Sequence, residues 1–212
     1  VVLITRGYPA HTTNLSRSEN THMEHISLFE PDATKTRDTI LQATYEVICE
    51  EGYSGVSIAQ IATRADISKS VIYYHFENKD AIVQALLRTV LDQLLCEFFE
   101  NEAIGPRERM ESFLEFVFDT SAESDCLATG PHCQAYIELG TQATHDEGFR
   151  KTIQNNETQL HDTIHSCLKA GIEDGRFRIE NPQATTTVLV TLIQGTLFRR
   201  ATTGDPDSAV LH

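Results

Sequence analysis

The sequence predicts an all-α protein in two parts, a small three-helix unit near the N-terminus and a larger helical unit after it. Apolar residues recur at three- and four-residue spacing in successive segments between residues 34 and 201, and no stretch alternates convincingly as a strand would. Helix starts are also marked. Ser57 is followed three residues later by Gln60, Ser68 precedes a short polar and apolar run, and Asn181 is followed by Pro182. Gly105-Pro106, Gly130-Pro131 and Gly140 interrupt the remainder.

Residues 1–32 are polar without a clear period and read as a disordered leader. They lack the apolar core of a signal peptide, and Met23 is an alternative start. Residues 34–51 form an amphipathic helix with Ile40, Ala43, Val47 and Ile48 on one face, Thr34 or Thr36 as its cap and Gly52 as its stop. Ile58, Ile61, Ala62 and Ala65 mark a second, short helix. The corner Ala65-Asp66-Ile67 leads to Ser68 and a third helix from Lys69 to about Tyr74. Two short helices joined that tightly have the layout of a helix-turn-helix.

A long helix follows, from Asn78 or Lys79 to Glu100, with Ile82, Val83, Leu86, Leu87, Val90, Leu91, Leu94, Leu95 and Phe98 along it. At 1.5 Å per residue its ~22 residues span about 33 Å, enough to belong to both units. Further helices are expected over 106–122, in part over 127–143, over 146–175 and over 182–201, with a frayed tail at the end. The domain bounds expected are 33–79 for the first unit and 80–202 for the second, with 203–212 a flexible tail.

The third helix has a split character. Ile72 and Phe76 can face inward, while Lys69, Ser70, Tyr73, Tyr74 and His75 offer hydrogen-bond donors, the kind of surface that meets phosphates and base edges. The formal net charge is −14, and even residues 33–80 carry five basic residues against seven acidic ones. Any contact with DNA must therefore come from a few placed groups and not from bulk attraction. The chain has 12 Arg and 5 Lys. Together with the acidic excess this suits a surface kept hydrated in high salt, as in halophilic archaea, and equally an ordinary acidic cytoplasmic protein. No run approaches the ~18 apolar residues of a membrane span. The cysteines, Cys49, Cys96, Cys126, Cys133 and Cys167, are odd in number and form no CxxC, which fits reduced thiols in a cytosol.

Residues 34–80 resemble the TetR family of repressors. The resemblance rests on the helix around Ala43 and Ile48, on Glu51-Gly52-Tyr53, on Ser57-Ile58-Ile61-Ala62, and above all on Ser68 through Lys79 with its run IYYHFENKD. More loosely, IEDGRFR and the helix after Asn181-Pro182 look like the closing part of many family members. The resemblance implies three DNA-binding helices, then a ligand-binding unit that dimerises through its last two helices.

On this resemblance Lys69, Ser70, Tyr73, Tyr74, His75 and Lys79 fall on positions that meet double-stranded operator DNA. Ser57, Thr36 and Arg37 are weaker phosphate candidates. Val71 either touches a thymine methyl or packs, and Tyr74 is either a contact or partly core. The resemblance also implies an effector pocket, for which Phe98, Phe113, Phe116, Val117, Tyr136 and Ile164 are candidates, although aromatics at helical spacing are more often core. It implies a homodimer interface for which Leu160, Ile164, Leu168, Val188, Leu192, Gly195 and Thr196 are candidates. Filling the pocket is expected to tilt the helix 79–100 and so change the spacing of the two recognition helices.

His161 and His165, four apart, raise a second reading on the same fold, a metal sensor, and Cys133 with Cys167 a redox sensor. No cofactor is expected. No HExxH, GxSxG or Gly-rich phosphate loop occurs, so no enzyme is expected either.

Overall fold

The computed structural model describes residues 36–101, 103–118 and 131–203, for 131–135 the backbone only. The expected leader, the polar gap at 121–125 and the tail beyond Thr203 lie outside the described residues, as do Thr34 and the side chain of Cys133. Within them the chain is all-α and no strand occurs. The helices are α1 (Thr36–Gly55), α2 (Ile58–Arg64), α3 (Lys69–His75), α4 (Lys79–Phe99), α5 (Pro106–Phe118), α6 (Pro131–Gln142), α7 (Glu147–Glu173) and α8 (Pro182–Thr203). None is long and apolar enough to cross a membrane.

The predicted stop at Gly52 is a kink. Its backbone (φ 72°, ψ 173°) lies in a region that favours glycine, and one further turn follows it to Gly55. The short helices depend on local caps. Ser57 Oγ accepts from the Gln60 amide at 3.3 Å, and Ser68 Oγ accepts from the Val71 amide at 3.4 Å. Asn78 Oδ1 accepts from the Ala81 amide at 2.8 Å. Each cap satisfies a donor that the first helical turn leaves open. The corner between α2 and α3 is closed by Asp66 at φ 52°, a conformation that aspartate tolerates better than most residues.

Two apolar cores follow. The first joins Ile40, Val47 and Ile48 of α1 to Ile61, Ile72 and Phe76, then to Ile82, Val83 and Leu86 of α4, with Leu139 and Phe149 closing it from α6 and α7. The second gathers Leu95, Phe99, Met110 and Phe113 against Ile164, Leu168, Val190 and Ile193. Helix α4 belongs to both, as its length requires. Its 21 residues extend about 31 Å. Polar bonds tie it to α7: Asn156 Nδ2 donates to the Leu87 carbonyl at 3.1 Å, and Gln159 Nε2 to Asp92 Oδ1 at 2.7 Å.

Gly171, near the end of α7, makes room for a neighbour. A Cβ there would lie 2.2 Å from the Phe177 ring, so the ring seats directly on the α7 backbone as the chain turns back toward α8. Gly175, at φ 69°, makes that turn.

Candidate DNA-reading surface and effector cavity

Helix α3 presents the split face that its sequence suggests. Ile72 is fully buried and Phe76 nearly so, anchoring the helix on α1 and α4. Lys69, Ser70, Tyr73, Tyr74 and His75 are exposed, and Val71 is half-buried. Tyr73 is 57% and Tyr74 85% exposed, which decides the alternative left open for Tyr74: it is not core. Its ring meets His75 edge to face at 5.1 Å. Two large aromatic side chains and a lysine are thus left exposed on one short helix of a compact unit.

The outlying candidates are more committed. Arg37 is exposed, with its guanidinium 5.2 Å from the centre of the Phe76 ring, and Thr36 is half-buried at the start of α1. The Ser57 hydroxyl is spent on its own helix, donating to Gln60 Oε1 at 2.7 Å while it caps. Lys79 is turned back: its ammonium lies 4.6 Å from the centre of the Tyr53 ring and donates to the Val56 carbonyl at 3.4 Å. Arg64 is bound to Glu46 and Glu50, which raise its affinity for its proton further and take it away from any phosphate. The local acids thus hold Arg64, one of the unit's few cations.

A cavity of about 190 Å³ lies between the two cores. Helix α4 supplies Leu86, Leu87, Val90, Leu91 and Leu94; α5 supplies Phe113, Phe116 and Val117; α6 supplies Tyr136 and Leu139. Tyr45 and Ile48 of α1, Leu160 of α7 and Ile193 and Leu197 of α8 complete the apolar wall. Polar groups are few and mostly engaged. Asn156 bonds the Leu87 carbonyl, Gln194 donates to Glu157 Oε1 at 3.0 Å, and burial raises the pKa of the Tyr136 hydroxyl and, more strongly, that of Tyr45.

Of the six pocket candidates, Phe113, Phe116, Val117 and Tyr136 line this cavity. Phe98 and Ile164 do not. Phe98 sits behind the wall, its ring 5.6 Å from Phe113 and 5.0 Å from Phe116. Ile164 is fully buried in the second core. The leucines of α4 were missed because their stripe, read alone, is indistinguishable from ordinary core.

The interface candidates also divide. Ile164 and Leu168 are buried within the protomer, and Leu160, half-buried, lines the cavity. They lie at successive four-residue steps of α7, hence on one stripe, and that stripe faces the chain's own core. On α8, by contrast, Val188 and Leu192 are 57% and 54% exposed, Gly195 is exposed with open space above it, and Thr196 is half-buried. Phe198, unforeseen, is 54% exposed on the same helix. Thr186, Val190 and Ile193 bury the opposite side of α8.

The sensor reading loses its footing. The His161 and His165 rings lie nearly parallel at 6.3 Å and are each engaged with α8, His161 with Gln183 at 3.3 Å and His165 with Thr186 at 3.4 Å. Among the described residues no group of three ligating side chains occurs. Cys167 is buried, its thiol donates to the Pro106 carbonyl at 3.2 Å, and burial raises its pKa, the opposite of a reactive thiol.

An exposed recognition helix on a three-helix head, joined by one long helix to a cavity-bearing helical body, defines a helix-turn-helix regulator. Comparison with known proteins gives the family. Residues 40–86 match the model of bacterial regulatory proteins of the tetR family, and residues 106–211 match that of the BetI-type transcriptional repressor C-terminal region. The chain belongs to the TetR family of transcriptional regulators, with a BetI-type C-terminal region; it is not an enzyme. It is 26% identical over 173 residues to the HTH-type transcriptional regulator BetI of Burkholderia mallei, covering 80% of this chain and 84% of that protein. Its fold is that of a TetR transcription regulator from Haloarcula marismortui (TM-score 0.69, 24% identity, 81% and 89% of the two chains). It is likewise that of a transcriptional regulator from Saccharomonospora viridis in complex with choline (TM-score 0.61, 23% identity, 78% and 85%).

Proposed function

We propose that this regulator is a homodimeric repressor that a small molecule releases from its operator. The observation that carries the reading is the course of α4. Its first turn adjoins the recognition helix, and its middle supplies five leucines and valines to the cavity wall. Residues 33–79 act as the DNA-binding domain and 80–202 as the effector and dimerisation domain, working on DNA in the cytoplasm.

Lys69, Ser70, Tyr73, Tyr74 and His75 make the main contacts. Val71 packs or touches a methyl group, and Arg37, Thr36 and Ser57 sit at the margin. Lys79 reaches a phosphate only by leaving the Tyr53 ring. The dimer forms through the outward face of α8, with Val188, Leu192, Gly195 and Phe198 at its centre. Two recognition helices about 34–36 Å apart then enter successive major grooves. An occupant of the cavity tilts α4 and alters that spacing, provided it binds the altered state more tightly.

The occupant we favour is a compact organic cation. The aromatic side chains of Phe113, Phe116 and Tyr136 and the carboxylate of Glu157 suit one, and the Saccharomonospora viridis relative binds choline. Choline is therefore the first compound to titrate, beside its neutral isostere 3,3-dimethylbutan-1-ol. Bound choline should weaken operator binding by about tenfold or more, and the operator should weaken choline by the same factor. Equal operator affinity with and without bound choline would remove choline as the releasing ligand.

A further inference from the structure

The cavity and the DNA-reading head meet at one unusual place, the kink of α1. At Gly52 the backbone leaves the helix, and the Tyr53 amide that follows donates to Glu138 Oε2 of α6 at 2.6 Å, across 85 residues of sequence. The kink is shaped around this carboxylate. The φ of +72° at Gly52 favours glycine, and a Cβ there would lie 2.9 Å from Glu138 Oε2 and 3.0 Å from Oε1, so a larger residue would displace the carboxylate from its place.

Tyr53 then distributes the contact. Its ring meets Phe149 of α7 edge to face at 5.7 Å. Its hydroxyl donates to Asp80 Oδ1 at 2.6 Å, in the first turn of α4. The Lys79 ammonium lies over its ring and reaches the Val56 carbonyl, directly before the Ser57 cap of the helix-turn-helix. A single residue thus joins α6, α7, the start of α4 and the entry to α2.

The other side of the same α1–α6 interface is the cavity. Tyr136 and Leu139, which flank Glu138 on α6, line it, and so do Tyr45 and Ile48 on the straight part of α1. An occupant that presses α1 and α6 apart acts on a bond of 2.6 Å. Hydrogen bonds weaken steeply once their geometry is lost, so a shift of about 1 Å suffices.

We propose that Glu138 is a positioning residue: its carboxylate latches the Gly52–Tyr53 kink and holds the reading head in its operator-binding pose, and filling the cavity opens the latch. This rests on the reading of the cavity as the effector site. It makes α6, beside the tilt of α4, a direct line from cavity to head, and it assigns Gly52 and Tyr53 to signalling as well as to folding.

The test uses the full-length dimer and N-phenyl-1-naphthylamine, a neutral apolar probe whose fluorescence reports its own entry. Hydrogen exchange of the Tyr53 amide is followed beside that of Ile61, an amide inside α2. With the probe bound, Tyr53 exchange should rise about tenfold or more while Ile61 stays protected. In Glu138→Leu the Tyr53 amide should already exchange fast, with no further response to the probe. Glu138→Gln keeps an acceptor oxygen and should fall between; both variants should keep the helical circular dichroism of the natural protein and bind the probe more tightly than it does, since a latch already open no longer resists filling of the cavity. If the probe does not bind, or binds equally after Leu160→Trp has filled the cavity, the effector-site reading falls and the latch with it. If it binds in the cavity and Tyr53 exchange does not change, or if Glu138→Leu leaves Tyr53 as protected as in the natural protein, the latch is refuted and the cavity reading stands.

Discussion

The head and the body of this protein are held together differently. In the head the decisive bonds are local: Ser57 caps Gln60, Ser68 caps Val71 and Asn78 caps Ala81, each three residues on. In the body they are remote. Arg200 of α8 donates to the Val117 carbonyl of α5 at 2.7 Å and Arg88 of α4 to Thr152 of α7 at 3.3 Å, and a bond of the same remote kind, from Tyr53 to Glu138, ties head to body. A head built from local bonds keeps its shape while it moves as a unit. A body built from remote ones transmits a disturbance from one helix to another.

The contrast can be broken at several points. Leu192→Asp puts a charge at the centre of the exposed α8 face. It should weaken the dimer by about 4 kcal/mol or more and abolish operator binding with it, read by light scattering and gel shift. A variant that stays dimeric would move the interface elsewhere. Arg200→Ala removes a buried cation, 7% exposed, from the junction of α5 and α8. It should cost about 3 kcal/mol in denaturant unfolding and leave the fold of the head intact.

Smaller effects belong to the head. Lys69→Ala should weaken operator binding by about 1–2 kcal/mol and lower the salt dependence by about one counterion, without a change in unfolding midpoint. A loss of stability instead would mean that Lys69 supports the fold. Ser68→Ala removes the cap of α3 and should cost about 1 kcal/mol, in stability and operator affinity together. A head variant that altered effector affinity in the absence of DNA would blur the division between the two regions.

The same contrast explains what the sequence revealed. Ser57-Gln60, Ser68 and the split face of α3 were legible because cap and capped residue lie within one turn, and because Ile72 and Phe76 are apolar at a four-residue step. The long helix was legible from its stripe. The cavity was not, because a leucine facing a void and a leucine facing a neighbour have the same spacing; Leu91 and Leu95 differ only in what other helices bring near them. Leu160, Ile164 and Leu168 mark a true apolar stripe on α7, but only the packing of α4, α5 and α8 shows that it turns inward. The outward face of α8 was partly seen in Val188 and Leu192, and Phe198 escaped notice among the arginines that follow it. Lys79 was legible as a cation at a helix start, but its place over the Tyr53 ring, 26 positions earlier, was not. Glu138 carries no local signal at all, since its partner lies 85 residues away.

The central claim is that two copies of this head read DNA together through α3. Selection of binding sites from random double-stranded DNA by the purified dimer tests it most directly. The account predicts a two-fold symmetric sequence whose half-sites are centred one helical turn, about 10–10.5 base pairs, apart or at a multiple of that, lost when Lys69 and Tyr73 are replaced by alanine. An enriched sequence without two-fold symmetry, or one retained by that double variant, would contradict it.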